Sequence, residues 1–328
     1  MVDHRRRLIS RLLAVPVIVV LSFIGWATSS FYGKGPNADE TTVVLPRGAG
    51  VKMIAKALDD AGVISSPFVF RSGVRITGNS RGLKAGEYLI PGRTSPRGVM
   101  DLLLAGRTVL HRLTIAEGLT VAEVFATVHA AEGLDGEVVD RPSEGALLPE
   151  TYYFSLGDSR ADLLTRMGEA MRETLNELWS GRAEGLPFDS PEEALALASI
   201  VEKETGVSAE RARVAAVFIN RLRRGMRLQS DPTVVYSLTQ GAAPLGRALT
   251  RRDLRTENPY NTYVNGGLPP GPIANPGRAA IEAVLHPLET EELYFVADGN
   301  GGHAFAKTLR EHQRNVASWR KVQREKKK

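Results

Sequence analysis

The sequence predicts an α+β protein: one N-terminal transmembrane helix, a small α+β module, then a larger α+β region with a mainly helical core. Three observations carry this reading. An uncharged apolar run of about 20 residues, enough to cross a bilayer, follows a cluster of arginines. Short strand patterns alternate with helical ones before residue 108. Long amphipathic or wholly apolar helical patterns dominate the chain between residues 160 and 225.

The elements follow in order. H-R-R-R-L-I-S-R, closing a basic segment over 1–11, precedes an uncharged stretch from Leu12 to Phe31. A cleaved signal peptide and an uncleaved anchor both fit such a start. The length of the run favours the anchor, as do Trp26 and Tyr32 at its far end, where aromatic rings suit the membrane interface. Arg5, Arg6, Arg7 and Arg11 would stay cytoplasmic, so all that follows would be exported from a plasma (inner) membrane. Residues 32–40 (G-K-G-P-N-A-D-E from Gly33) read as a polar linker.

Over 41–108 the chain reads strand (T-T-V-V-L-P), helix (Ile54, Ala57, Leu58 and Ala61 on one face, Gly62 as stop), short helix, strand (L-K-A-G-E-Y-L-I-P) and a helix ending before Gly106. This small unit resembles carbohydrate-binding LysM-like modules. From 109 to 320 a larger region begins with strand, turn and a helix capped by Thr120 and Glu123. It continues through Gly145–Phe154 to a helix with Leu164, Met167, Met171, Leu175 and Leu178 in register. Ser190-Pro191 opens the next, apolar helix. A further helix stops at Gly225, after which turns rich in Pro, Gly and Asn precede a helix at Ala279–Leu285, a strand in L-Y-F-V-A-D and a last helix from Leu309 to Trp319. Residues 321–328 read as a frayed basic tail.

Composition narrows the chemistry. There is no cysteine, so disulfides, thiolate metal sites and cysteine nucleophiles are excluded. The net charge of +5 comes from the two ends; between Lys34 and Arg320 stand 33 basic and 35 acidic residues. That balance lacks the basic footprint of a nucleic-acid binder. Six histidines lie scattered without an H-x-x-x-H pair, so no metal is expected, and no phosphate-binding loop or dinucleotide fingerprint is present, so no cofactor is expected.

The chemistry centres on S-I-V-E-K-E-T-G, Ser199 to Gly206, at the end of the apolar helix. At about 100° per residue, Glu204 falls roughly 20° from Leu197, on the face of Leu197, Ile200 and Val201, and Glu202 falls roughly 140° away. Burial and the negative end of the helix dipole both raise the pKa of a carboxyl so placed. A carboxyl that stays protonated is what a general acid requires. Geometry leaves the alternative open that either glutamate simply pairs with Lys203, Arg211 or Arg213.

Five blocks in order settle the reading at the level of resemblance. These are A-S-I-V-E-K-E-T, then S-A-E-R-x-x-V-A-A-V-F-I-N-R-L-R-x-G-M-R-L-Q-S-D-P-T-V-x-Y, N-P-Y-N-T-Y, G-L-P-P-G-P-I-A-N-P-G and L-Y-F-V-A-D-G-x-G-G-H-A-F. Over about Thr41 to Trp319 the chain resembles the membrane-anchored endolytic murein transglycosylase family. The resemblance implies a lyase that cuts the β-1,4 bond between N-acetylmuramic acid and N-acetylglucosamine inside peptidoglycan glycan strands and leaves a 1,6-anhydro end. It implies Glu204, the second of the E-K-E pair, as the catalytic acid. It also implies a link to the cell-wall synthesis machinery and to termination of nascent strands. Gln229, Asp231, Asn261, Thr262, Tyr263 and Glu150 are candidate glycan contacts, although Asn and Asp in turns commonly bond their own backbone. His303 is a candidate neighbour of the site, and Gly266, Gly267, Gly271 and Gly277 suit turns. Two other readings remain at this stage. One is a hydrolase with Asp231 or Glu150 as second carboxylate; the other is a tethered peptidoglycan-binding scaffold without activity.

Overall fold

A computed structural model describes the backbone of residues 2–326 and the side chains of residues 15–326. The side chains of Arg5, Arg6, Arg7 and Arg11, and all of Lys327 and Lys328, expected as basic ends, lie outside that description. The chain divides into two compact units, one of Met1–His111 with Phe154–Gly157, the other of Arg112–Tyr153 with Asp158–Lys328.

The first unit begins with α1 (Val2–Tyr32), whose Val15–Tyr32 segment is long and apolar enough to cross a membrane. Then come β1 (Thr41–Leu45), α2 (Val51–Asp60), α3 (Pro67–Ile76), β2 (Gly86–Ile90) and α4 (Pro96–Ala105). β1 and β2 pair antiparallel, Thr41 opposite Ile90 and Leu45 opposite Gly86. Alternation along β1 buries Val43 and Leu45 and exposes Val44. The core joins them to Leu58, Phe70, Tyr88 and Met100. The buried Tyr88 hydroxyl is satisfied by donating to the Lys84 carbonyl, 2.9 Å away. Ser66 and Ser95 cap α3 and α4, each followed by proline at the first helical position.

The expected linker is stitched to this unit. The Arg93 amide donates to the Asn37 carbonyl at 2.7 Å and the Gly35 amide to the Arg93 carbonyl at 3.3 Å. The Asn37 side chain donates to the Pro91 carbonyl at 3.2 Å. A Cβ at Gly35 would overlap the Thr94 carbonyl, and one at Gly92 the Ala38 carbonyl, so glycine lets the two backbones meet. Phe31, near the end of α1, is itself a core residue, and a Cβ on Gly73 of α3 would overlap its ring.

The second unit takes all but the end residues His111 and Phe154 of β3 (His111–Thr114) and β5 (Thr151–Phe154), and holds α5 (Val121–Ala130), β4 (Leu134–Asp135), β6 (Asp158–Ser159), α6 (Arg160–Ser180), α7 (Pro191–Glu204), α8 (Arg211–Arg223), α9 (Asp231–Thr239), α10 (Arg278–Leu285), β7 (Tyr294–Ala297), β8 (His303–Ala306) and α11 (Leu309–Glu325). Its strands form small two-stranded pairs, and its core is helical, drawn from α6, α7, α8 and α10. α7 runs through the middle, with every residue from Ala194 to Val201 buried. Three capping boxes are made among the described residues, Thr120 with Glu123, Ser190 with Glu193 and Thr308 with Glu311.

Three features differ from the sequence reading. α9 is a helix where turns were expected, because Asp-Pro starts a helix as readily as a turn. β8 pairs with β7 as a hairpin, with Tyr294 opposite Ala306. α11 continues past Trp319 to Glu325, so Lys321 and Arg324 belong to helical turns and not to a frayed tail.

Candidate active site

Glu204 is the last residue of α7. The apolar helix fixes its backbone. Inside that helix, the wholly buried Ser199 hydroxyl donates to the Ala196 carbonyl at 2.7 Å and accepts the Ile273 amide at 2.9 Å. This ties α7 to the G-P-I-A-N-P-G segment. Asn275 in that segment accepts the Leu147 amide at 3.0 Å and donates to the Leu119 carbonyl at 2.8 Å. The frame behind Glu204 is therefore made of buried, satisfied polar groups, which fix one arrangement.

The Glu204 side chain is half-buried as a whole, while its carboxyl is packed round by protein. Burial pushes its pKa up, and the negative charge of Asp231 pushes the same way. Ser230, His303 and Arg221 oppose the rise. The Ser230 hydroxyl donates to Glu204 Oε1 at 2.5 Å. Ser230 is almost fully buried and is the N-cap residue of α9, yet its side chain makes no capping bond and turns to Glu204 instead. Its amide donates to Thr262 Oγ1 at 3.0 Å, and Thr262 Oγ1 lies 2.8 Å from Thr233 Oγ1.

Arg221 is a buried cation from α8. Its Nε donates to the Leu293 carbonyl at 2.7 Å and its Nη1 to the Leu228 carbonyl at 2.6 Å. Its charge is felt by Glu204 and Tyr263. His303 Nδ1 lies 2.7 Å from Glu210 Oε2, and the ring stands edge-on to Phe295.

The candidate residues separate into two groups. Asp231, the first residue of α9, is exposed and accepts the Tyr263 hydroxyl at 2.6 Å. Burial and Asp231 together push the Tyr263 phenol well above the usual range. Gln229 is exposed and holds a left-handed backbone, φ 51°, with its amide on the Thr262 carbonyl at 3.2 Å. A non-glycine residue in that region is strained by roughly 1 kcal/mol or more, and such strain concentrates at functional sites.

Asn261 and Thr262, expected as glycan contacts, are both buried and their side chains are hydrogen-bonded within the protein. The Asn261 amide donates to the Thr256 carbonyl at 2.8 Å and its Oδ1 accepts the Tyr263 amide at 2.9 Å. Glu150 is exposed, and its charge acts on Tyr152 and Arg278, a set separate from the neighbours of Glu204.

Glu202 has the role left open for either glutamate. Its Oε2 accepts the Gly277 amide at 2.9 Å and its Oε1 lies 3.5 Å from Arg211, which also reaches Glu117 at 3.4 Å. A Cβ at Gly277 would overlap the Glu117 carboxyl, which would have to swing aside. A cavity of about 510 Å³ is lined by Lys203 and Asp231, with Thr120, Glu123, Tyr236 and Ile273.

Two residues of the constellation escaped the sequence reading. Ser230 stands before Asp-Pro in a stretch read as turns, and nothing local in the sequence points to its partner Glu204. Arg221, in N-R-L-R, reads as a surface charge; the sign in sequence is its place within an otherwise apolar helical run.

The YceG-like family model matches residues 43–318. An endolytic murein transglycosylase of Bacillus subtilis (strain 168) is 32% identical, with 86% of this chain and 88% of that protein covered. An endolytic murein transglycosylase of Streptococcus pneumoniae serotype 2 is 30% identical over 84% of this chain and 58% of that longer protein. The crystal structure of a YceG-like protein from Listeria monocytogenes, 31% identical, superimposes with a TM-score of 0.52 and covers 84% of this chain and 99% of that one. The chain is a member of the YceG-like family.

Proposed function

We propose that this protein is an endolytic lytic transglycosylase of peptidoglycan with Glu204 as its acid and base. The observation that carries the reading is the Glu204 carboxyl, packed at the end of a rigid helix with its pKa raised and one oxygen held by Ser230. The relatives named endolytic murein transglycosylase support the substrate class.

In the first step Glu204 gives its proton to the glycosidic oxygen as the C1–O bond breaks, and the N-acetyl oxygen of the same muramic residue supports C1. In the second, the C6 hydroxyl attacks C1 and its proton passes to the Glu204 carboxylate. The bond formed gives the 1,6-anhydro end, no water is consumed, and the acid is regenerated. One carboxyl suffices because the second nucleophile is on the same ring at high effective concentration. The surroundings suit a group that must be acid and then base. Burial and Asp231 favour the protonated form, while Arg221, His303 and Ser230 support the anion once the proton has left. Gln229, Asp231 and Tyr263 are the proposed sugar contacts.

A muramidase reading stays in view because Asp231 is within electrostatic range of Glu204. The β-α-α-β order of the first unit supports a LysM-like glycan-binding module over 41–108, with the catalytic domain over 109–320. The apolar Val15–Tyr32 segment supports a single membrane anchor with the rest exported. Partnership with the synthesis machinery follows from action on nascent strands.

The test is to incubate the full chain and Glu204→Gln with uncross-linked glycan strands and weigh the products. Anhydro ends from the unaltered protein and none from the variant are expected. Reducing ends would identify a hydrolase, and binding without cleavage by either protein would identify a scaffold.

A further inference from the structure

α1 joins the first unit as a strut. Phe31 is only 6% exposed and fills the space left by Gly73. Further back along α1, the Phe23 ring lies against Phe68 of α3, with centroids 6.2 Å apart. At the α-helical rise these contacts are roughly 12 Å apart along α1, so α3 runs beside its last turns. The uncharged run begins at Leu12, and Leu12 to Phe23 makes roughly 18 Å of helix. The hydrocarbon core of a bilayer is about 30 Å thick. α1 reaches that thickness only if the stretch from Phe23 to Phe31 is included, and that stretch is the part packed on α3. α3 therefore shares the depth of the end of the span.

The outer surface of α3 has the composition this depth demands. Phe68 is 57% exposed and Ile76 86% exposed. Arg71 and Arg75 are also exposed, and at about 100° per residue all four fall on one arc with Ser72. A groove of about 380 Å³ between the two helices is lined by Phe23, Ile24, Ala27, Phe68, Ser72 and Ile76, among others. α1 also exposes Ile18 and Leu21, further toward its N-terminus. Apolar side chains flanked by arginines on one helical face match the interface of an anionic membrane.

We propose that the first unit is a membrane-surface module. α3 lies in the phospholipid interface with Phe68 and Ile76 among acyl chains and Arg71 and Arg75 at the level of the phosphates, and an acyl chain fills the groove. The proposal rests on α1 being a membrane anchor.

The chain has no cysteine, so single Ile18→Cys, Phe68→Cys, Ile76→Cys and Val139→Cys variants of the full protein each carry one label. Each is labelled with a small fluorophore and reconstituted in phosphatidylethanolamine–phosphatidylglycerol vesicles. Quenching by brominated lipid and by aqueous iodide is then read. Val139, 91% exposed in the second unit, is the water reference. Labels at 68 and 76 are expected to be quenched by lipid as at 18, and by iodide about threefold less than at 139. Iodide quenching at 68 and 76 equal to that at 139, with lipid quenching at 18, would overturn the proposal and leave the anchor standing. Protection from both quenchers would mean a protein covers the patch, which also overturns it. No lipid quenching at 18 would remove the anchor itself.

Discussion

Replacing Glu204 and Glu202 by glutamine, one at a time, separates chemistry from scaffolding two residues apart on one helix. Glu204→Gln keeps an oxygen for the Ser230 hydroxyl and loses only the transferable proton. General acid–base catalysis contributes roughly 10²–10⁴-fold, or about 3–5.5 kcal/mol of barrier, so turnover should fall by that factor. Stability should move the other way. The folded pKa of Glu204 is raised, so its contribution to stability is intact below the ordinary value of 4.5 and is lost as pH rises through the folded value. Glutamine carries no such loss, so the variant should match the unaltered protein in acid and melt higher near neutral pH.

Glu202→Gln should do the reverse. It removes the charge facing Arg211 at 3.5 Å, where the Glu202 side chain is 5% exposed and that of Arg211 11%. Arg211 retains Glu117, so the cost should be about 1–3 kcal/mol, short of a fully broken buried pair. For a unit of this size that is a fall in melting temperature of roughly 3–10 °C. Activity of the protein that stays folded should persist. Product mass spectrometry with calorimetric melting reads both effects. An inactive Glu202→Gln beside an active Glu204→Gln would refute the assignment.

Ser230→Ala removes a bond that favours the carboxylate, so the limb on which activity falls with rising pH should move to higher pH, and hydrogen exchange should speed up in α9. Phe31→Ala should destabilise the first unit by about 3–5 kcal/mol and Gly73→Ala by about 1–3 kcal/mol, read by melting in detergent. Asn261→Ala strands the Thr256 carbonyl and the Tyr263 amide and should cost about 2–5 kcal/mol. Tyr263→Phe loses only the Asp231 bond and should lower turnover with little change in melting.

The elements legible in the sequence were those whose signals are local. The Ser190-Pro191 cap, the Thr120–Glu123 box and the apolar face of α7 each need only a few neighbouring residues, and each was read correctly. The placement of Glu204 on a buried face came from helical arithmetic alone. What stayed hidden depends on partners far along the chain. Nothing near Asn261 in the sequence announces that its side chain serves the Thr256 carbonyl and the Tyr263 amide within a buried loop. The polar run at Gly33–Glu40, read as a linker, sends its bonds to Pro91 and Arg93, too far along the chain to be legible locally. Ser230 drew no attention because a serine before Asp-Pro suits a turn or a cap as well as it suits a carboxylate partner.

That missing cap has a consequence for how the protein becomes active. The Ser230 side chain at the start of α9 bonds the end of α7 instead of capping its own helix. The two helix ends come from segments that must find each other in three dimensions. Until they meet, Glu204 lacks the hydroxyl that orients it and Asp231 is not beside it. Folding of the second unit and assembly of the proposed acid's surroundings are thus one event. A chain in which the two helix ends have not met lacks the Ser230–Glu204 contact on which the proposed mechanism draws.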